Sequence, residues 1–234
     1  MDASCSSASN CGIITYYKFN KMKEKVTLVV VDFQYDFCLL GAPLYVPGSD
    51  KALWNISHLI ENNKVGRVIF TADWHPSNHC SFKKNGGQWN EHCVQFSKGA
   101  AIHDLLLYGC IGAGIPYEVI TKGTLSLSEE YGIKVAPANA KVQYHTIYSS
   151  SVGVDVQPDE QVVICGLAGD FCVLETLKNL APVNPMIFLD GVASLDGGVK
   201  LNEYVESNGV RYGHKNYHTS TSSLINISNS YSYG

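Results

Sequence analysis

A three-layer αβα domain on a mainly parallel sheet is the architecture this 234-residue chain predicts. Short β-branched runs, VTLVVV, RVIFTA and VVIC, alternate along the chain with segments whose apolar residues recur at helical spacing. The first run is β-branched and continuous rather than apolar at every second position, as in a strand covered on both faces. Several runs also end on a charged or reactive residue. In a parallel sheet the carboxyl ends of the strands converge on one rim, however distant they are in sequence.

The elements follow in order. Residues 1–24 are polar and Ser/Asn-rich and read as a loose lead-in to a domain spanning 25–213. Residues 26–31 form the first strand, which ends at Asp32 in the run DFQYDFC. Ser49 or Asp50 is suited to cap a helix whose stripe is Leu53, Trp54, Ile56, Leu59 and Ile60. Residues 67–72 form a second strand running into Asp73 and the loop DWHPSNHCSF. Ile102 and the leucines at 105–107 suggest a short helix, and 118–121 a strand ending at Lys122-Gly123. Residues 142–147 could be a further strand. Residues 162–165 form a buried strand, a turn follows, and Val173, Leu174, Leu177 and Leu180 then share one helical face up to Pro182. A strand at 186–189 ending at Asp190 and a helix closed by Asn208-Gly209 complete the domain. The Ser-, Asn- and Tyr-rich stretch 214–234 has little periodicity and reads as a mobile tail.

Composition narrows the function classes. Hydrophobic residues make up 45% and charged residues 16%, ordinary for a globular chain long enough for one sizeable core. A net charge of −4 offers no basic footprint for nucleic acid. No apolar run is long enough for a membrane span, and the first residues lack the basic-then-apolar pattern of a secretory signal. Eight cysteines without paired spacing suit a reduced, cytoplasmic protein better than a disulfide framework.

Three groups carry candidate chemistry. Cys172 falls where a strand's carboxyl end meets a helix's amino end. Unpaired backbone N–H groups and the helix dipole there favour a thiolate and can hold an oxyanion. The plainer reading is a buried free cysteine. Asp32 is a candidate base for the thiol if its pKa is raised, with Lys122 as the counter-charge. Taken singly, each is equally a strand-end or surface charge. Asp73, His75 and His92 form a candidate metal set with room for an exchangeable ligand, and His79 is a further candidate. Zinc, ferrous iron and manganese all tolerate such donors, with zinc favoured. Phe37, Trp74 and Trp89 bracket these residues and could flank a flat heteroaromatic substrate.

The runs VVVDFQYDFC, FTADWHPSNHCSF, WNEHCVQFSKGA, VITKGT and GLAGDFCV, in this order, resemble the nicotinamidases of the isochorismatase-like cysteine hydrolases. The similarity extends from about Val26 to Tyr212. It implies the isochorismatase-like hydrolase fold and hydrolysis of nicotinamide to nicotinate and ammonia, in NAD salvage. By resemblance the catalytic triad is Asp32, Lys122 and Cys172, the metal ligands are Asp73, His75 and His92, and the aromatic pocket residues are Phe37 and Trp89. A cis peptide before Ala168 is also implied, aiming the backbone N–H groups of Ala168 and Cys172 at the substrate oxygen. The chain departs from the family pattern at Asn90-Glu91, where a proline is usual, and at Gly169, where threonine is common. The Tyr-Ser segment that normally follows the lysine has two stand-ins, Tyr131-Gly132 and Tyr148-Ser149. Another amide or carbamoyl hydrolase of the superfamily is the alternative, and a metal-binding protein without thiol chemistry a remoter one. The sequence leaves monomer or homo-oligomer undecided.

Overall fold

The structure is a computed structural model that describes residues 26–62, 64–136, 153–156, 160–214 and 226–228. Among the described residues, six parallel strands and one antiparallel edge strand form a single sheet in the order β3-β2-β1-β4-β5-β6-β7. β1 is Val26–Val31, β2 Val65–Asp73, β3 Tyr117–Lys122, β4 Val162–Gly166 and β5 Met186–Val192. β6 is Arg211–His214 and β7 Asn226–Ser228. The last of these lies in the stretch read from sequence as a mobile tail. It adds a short strand whose ladder joins Asn226 to His214. The strand expected at 142–147 and the pair Tyr148-Ser149 lie outside the described residues, as does the 1–24 lead-in.

Continuous apolar strands produce two cores, one on each face of the sheet. Leu28, Val30, Phe70 and Val163 point to one side, where Ile56 and Ile60 of α2 (Ser49–Glu61) and Leu106 of α3 (Asp104–Ala113) cover them. Val29, Val31, Ile69 and Ile164 point the other way. There they meet Leu177 of α4 (Leu174–Asn179) and Leu201 and Val205 of α5 (Val199–Ser207). Full burial of each such side chain is worth about 1.5–3 kcal/mol, which favours this register over any one-residue slip.

Some local expectations are corrected. Gly48, not Ser49 or Asp50, occupies the cap of α2, and the Ser49 hydroxyl instead donates to the Cys38 carbonyl at 3.2 Å. Trp54 does not join the α2 stripe: it is 62% exposed and stands edge-on to the His58 ring. Its position places it on the outer face of a helix whose inner face is already filled by smaller residues. α3 is longer than expected because its run of apolar residues continues through Cys110 to Ala113.

The chain moves outward from β1 to β2 and β3, then returns to place β4 on β1's other side. A crevice opens at such a reversal, beyond the carboxyl ends of the two central strands.

Candidate active site

Asp32 follows β1, Asp73 and Lys122 are paired at the ends of β2 and β3, and Cys172 lies just past β4. All four are buried. The short helix α1 (Tyr35–Cys38) carries Phe37 beside them.

After β4 the chain passes through a cis Leu167–Ala168 peptide. It then makes one wide helical turn, Gly169–Val173, in which the Val173 N–H reaches back five residues to the Ala168 carbonyl at 3.1 Å. α4 begins only after that, so Cys172 lies inside the wide turn rather than at the first residue of a regular helix. Asp170 fastens this turn by accepting the Leu195 N–H at 2.9 Å. The Ser194 hydroxyl occupies the space where a Cβ on residue 169 would sit, 2.0 Å from it, which accounts for glycine at this position.

Lys122 is the hub. Its ammonium lies 2.7 Å from Asp32 Oδ2 and 3.6 Å from Cys172 Sγ, and it pairs with Asp73 Oδ1. Donor atoms of Asp32, Asp73 and Cys172 lie within 4.8 Å of one another. The Thr71 hydroxyl donates to Asp32 Oδ1 at 2.6 Å and accepts the Asp32 N–H at 3.1 Å. Burial raises the Asp32 carboxyl above the usual carboxylate value; Lys122 opposes this and Asp73 adds to it. Burial also raises the Cys172 thiol well above its ordinary value, more than Lys122 lowers it, and Asp32 and Asp73 push it further up. The easily ionised thiol expected from helix-end placement is thus corrected. Burial disfavours Lys122's charge, yet Asp32 and Asp73 outweigh that and keep it protonated. A thiol held neutral by burial thus lies beside a charged ammonium.

On the other side of Asp73 lie the histidines. His75 Nδ1–H donates to the Gly123 carbonyl at 2.9 Å, leaving Nε2 with its lone pair bare. That Nε2 is buried without a hydrogen-bond partner, 3.5 Å from Asp73 Oδ2. His92 Nδ1–H donates to the Asn90 carbonyl at 2.7 Å, and its Nε2 lies 3.8 Å from the same Asp73 oxygen. Donor atoms of Asp73, His75 and His92 fall within 4.8 Å of one another, so these residues could hold a divalent cation. Burial lowers His92 and keeps it neutral, as a ligand must be. Burial also opposes charge on His75, but Asp73 outweighs it and raises that imidazole. A proton and a cation are drawn to His75 by the same carboxylate. His79 stacks on His75 with ring centroids 4.0 Å apart. Its Nε2–H donates to the Ser128 carbonyl at 3.0 Å and its Nδ1 accepts from Ser81, so both nitrogens are engaged.

A cavity of about 420 Å³, mouth included, opens onto both groups. Phe37, Trp89, Tyr131 and Phe171 supply aromatic walls, and Ala168 and Cys172 line it with Asp73 and His92. Trp89 meets Phe171 edge-on at 5.2 Å, and its indole N–H donates to the Tyr131 hydroxyl at 3.1 Å. Of the two stand-ins for the Tyr-Ser segment, Tyr131 is therefore at the cavity. Trp74 does not line it; that ring packs against Phe96. Thr71, Glu129 and Leu195 were not singled out from the sequence. A threonine within a β-strand and a leucine in a loop carry no local signal of a site.

No model of a known protein family matches the chain. The fold is that of an isochorismatase-like hydrolase from Alkaliphilus metalliredigens, which aligns with a TM-score of 0.55 at 17% identity, over 78% of this chain and 91% of that one. The nicotinamidase of Escherichia coli K12 is 32% identical over 167 residues, 64% of this chain and 73% of that protein. The chain belongs to the nicotinamidase family. Among solved structures, PnC1 from L. infantum in complex with nicotinate aligns with a TM-score of 0.63 at 27% identity, over 80% of this chain and 91% of that one. A pyrazinamidase of Pyrococcus horikoshii in complex with zinc aligns at 0.60 and 26%, over 80% and 98%.

Proposed function

We propose that this chain is a nicotinamidase that hydrolyses nicotinamide to nicotinate and ammonia through a thioester on Cys172, supplying nicotinate to NAD salvage. One observation carries the reading: Lys122 bridges Asp32 at 2.7 Å and Cys172 at 3.6 Å, and Cys172 lines an aromatic-walled cavity together with Asp73 and His92. The relatives' names and the nicotinate and zinc of the two solved structures support it.

Asp32, raised by burial, takes the Cys172 proton as the sulfur attacks the carboxamide carbon. The oxygen becomes an oxyanion facing the backbone N–H groups of Ala168 and Cys172. Asp32 returns the proton to the amide nitrogen, the C–N bond breaks and ammonia leaves. Asp32 then deprotonates water, whose oxygen attacks the thioester carbon. The C–S bond breaks, and the sulfur is reprotonated from Asp32. Lys122 keeps the Asp32 carboxylate in reach of the sulfur and balances its charge. Phe37 and Trp89 sandwich the pyridine ring. Asp73, His75 and His92 would hold a divalent cation, zinc being best matched to two imidazoles and a carboxylate. When bound, that cation would supply a Lewis acid able to orient the nitrogen of the pyridine ring. His79 serves behind His75 as a stacking support rather than as a ligand. The free thiols at Cys38, Cys80, Cys93, Cys110, Cys165 and Cys172 suit a reducing, cytoplasmic setting.

Ammonia release from nicotinamide and from pyrazinamide tests the reading. Wild-type protein should release it from both, and Cys172→Ala should release none while retaining bound metal. Inert nicotinamide and pyrazinamide, with another amide cleaved, would assign a different substrate. Near-wild-type release by Cys172→Ala would refute the thioester.

A further inference from the structure

The turn after β1 sends only Phe37 into the cavity wall, yet two neighbours of Phe37 grip both sides of the cation set. Gln34 is fully buried. Its Nε2 donates to the Asp73 carbonyl at 2.7 Å and to the Ala100 carbonyl at 2.8 Å, and its Oε1 accepts the Asp73 N–H at 2.8 Å. The β1–β2 ladder is last paired at Val30 and Phe70, and Asp32 then turns away with φ 46°. The Gln34 amide takes the place of the departed strand, pairing with both backbone groups of Asp73 as a neighbouring strand would. A buried amide with both donors used holds its partner peptide in one position, because any shift leaves unpaired polar groups.

Asp36 does the equivalent for the loop of His92. Its Oδ2 accepts the N–H of Cys93, the residue after His92, at 2.7 Å. Cys93 adopts a left-handed φ of 46°, a conformation that costs a side-chain-bearing residue about 1–2 kcal/mol and needs outside support. The far side is shaped for the carboxylate: a Cβ on Gly99 would lie 2.1 Å from Asp36 Oδ2.

We propose that Gln34 and Asp36 are positioning residues of the cation site, Gln34 fixing Asp73 and Asp36 fixing His92 through Cys93. This rests on the reading that Asp73, His75 and His92 hold a divalent cation. Neither side chain touches the ion or the substrate; they set the distance between ligands on separate loops. Partners of this kind, lying behind the ligands, govern metal affinity by about 10–100-fold.

Zinc affinity of the full-length chain, measured by competition with a chromogenic chelator, tests the proposal alongside the melting temperature of the metal-free protein. Gln34→Met and Asp36→Ala should each weaken zinc by at least about 10-fold. Asp36→Asn, which keeps an acceptor for Cys93, should stay within a few-fold of wild type. A merely structural role would lower all three melting temperatures and leave zinc affinity of the folded protein unchanged, and that result overturns the proposal. Should Gln34→Met fail to fold, Asp36→Ala against Asp36→Asn decides. His75→Ala separates the two readings: if it binds zinc as tightly as wild type, the cation site itself is wrong. If it loses zinc while Gln34→Met and Asp36→Ala do not, only the positioning roles fail.

Discussion

Cys172 is buried beside two carboxylates and one ammonium, and burial raises its thiol pKa despite Lys122. The thiolate is therefore scarce near neutral pH and grows about tenfold per pH unit below the thiol's pKa. Alkylation of Cys172 by iodoacetamide, followed by peptide mass spectrometry, should accelerate continuously through pH 9 without levelling near pH 7. A plateau near neutrality would mean a preformed thiolate and would remove the need for Asp32 as base. Lys122→Met is a second test. It strips two buried carboxylates of their common partner and should destabilise the fold by about 3–5 kcal/mol in urea titration, with turnover lost. Both residues were legible before the structure because each follows an apolar strand, and parallel strands deliver their ends to one rim. Thr71, Gln34 and Asp36 were not. Their hydrogen bonds join residues between 39 and 66 positions apart, and nothing local in the sequence marks such partners.

Among elements, the strands were read best, since continuous β-branched runs leave few alternatives. Helix boundaries were read less well. Trp54 has the spacing of a core residue in α2 and yet faces solvent, because periodicity fixes which residues share a face but not whether a bulky ring fits beneath. The wide turn around Cys172 has no sequence signature separate from an ordinary helix start. α5 shows an end condition that can be tested. Asp196 accepts the Gly198 N–H at 2.8 Å and the Lys200 N–H at 3.1 Å ahead of the helix. Burial is the largest single influence and opposes its charge, but those backbone donors and Lys200 together outweigh it and lower the Asp196 pKa. A carboxylate lowered in the folded state stabilises above its unfolded pKa, and that gain fades as pH falls through the folded value. Asp196→Ala should cost about 1 kcal/mol at pH 7 by urea titration, with the gap to wild type closing below pH 4.

At the scale of the whole molecule, one sheet reversal brings residues from β1, β2, β3 and the turn after β4 to one crevice, and no helix is long and apolar enough to cross a membrane among the described residues. A cation held by Asp73, His75 and His92 would bind the folded chain and find no assembled site in the unfolded one. At 100 times its dissociation constant, such a ligand adds about 2.7 kcal/mol to folding stability. Chelation should accordingly lower the melting temperature by several degrees in wild type and leave His75→Ala unmoved, as differential scanning calorimetry would show. Because Asp73 raises His75 above its ordinary pKa, protons should displace the cation as pH falls through that raised value, and zinc affinity should decline accordingly. Affinity independent of pH between 5 and 8 would exclude His75 as a ligand.

Asp73 presents Oδ1 to Lys122 and Oδ2 to the two imidazoles. With Asp73 and Lys122 ionised, the cluster carries one negative charge when Asp32 is a carboxylate and none when it holds a proton. A divalent guest would turn either balance positive. When Asp32 holds its proton, the same guest would add its full charge to the crevice. One aspartate, facing two ways, ties the charge of the lysine to that of whatever the imidazoles hold.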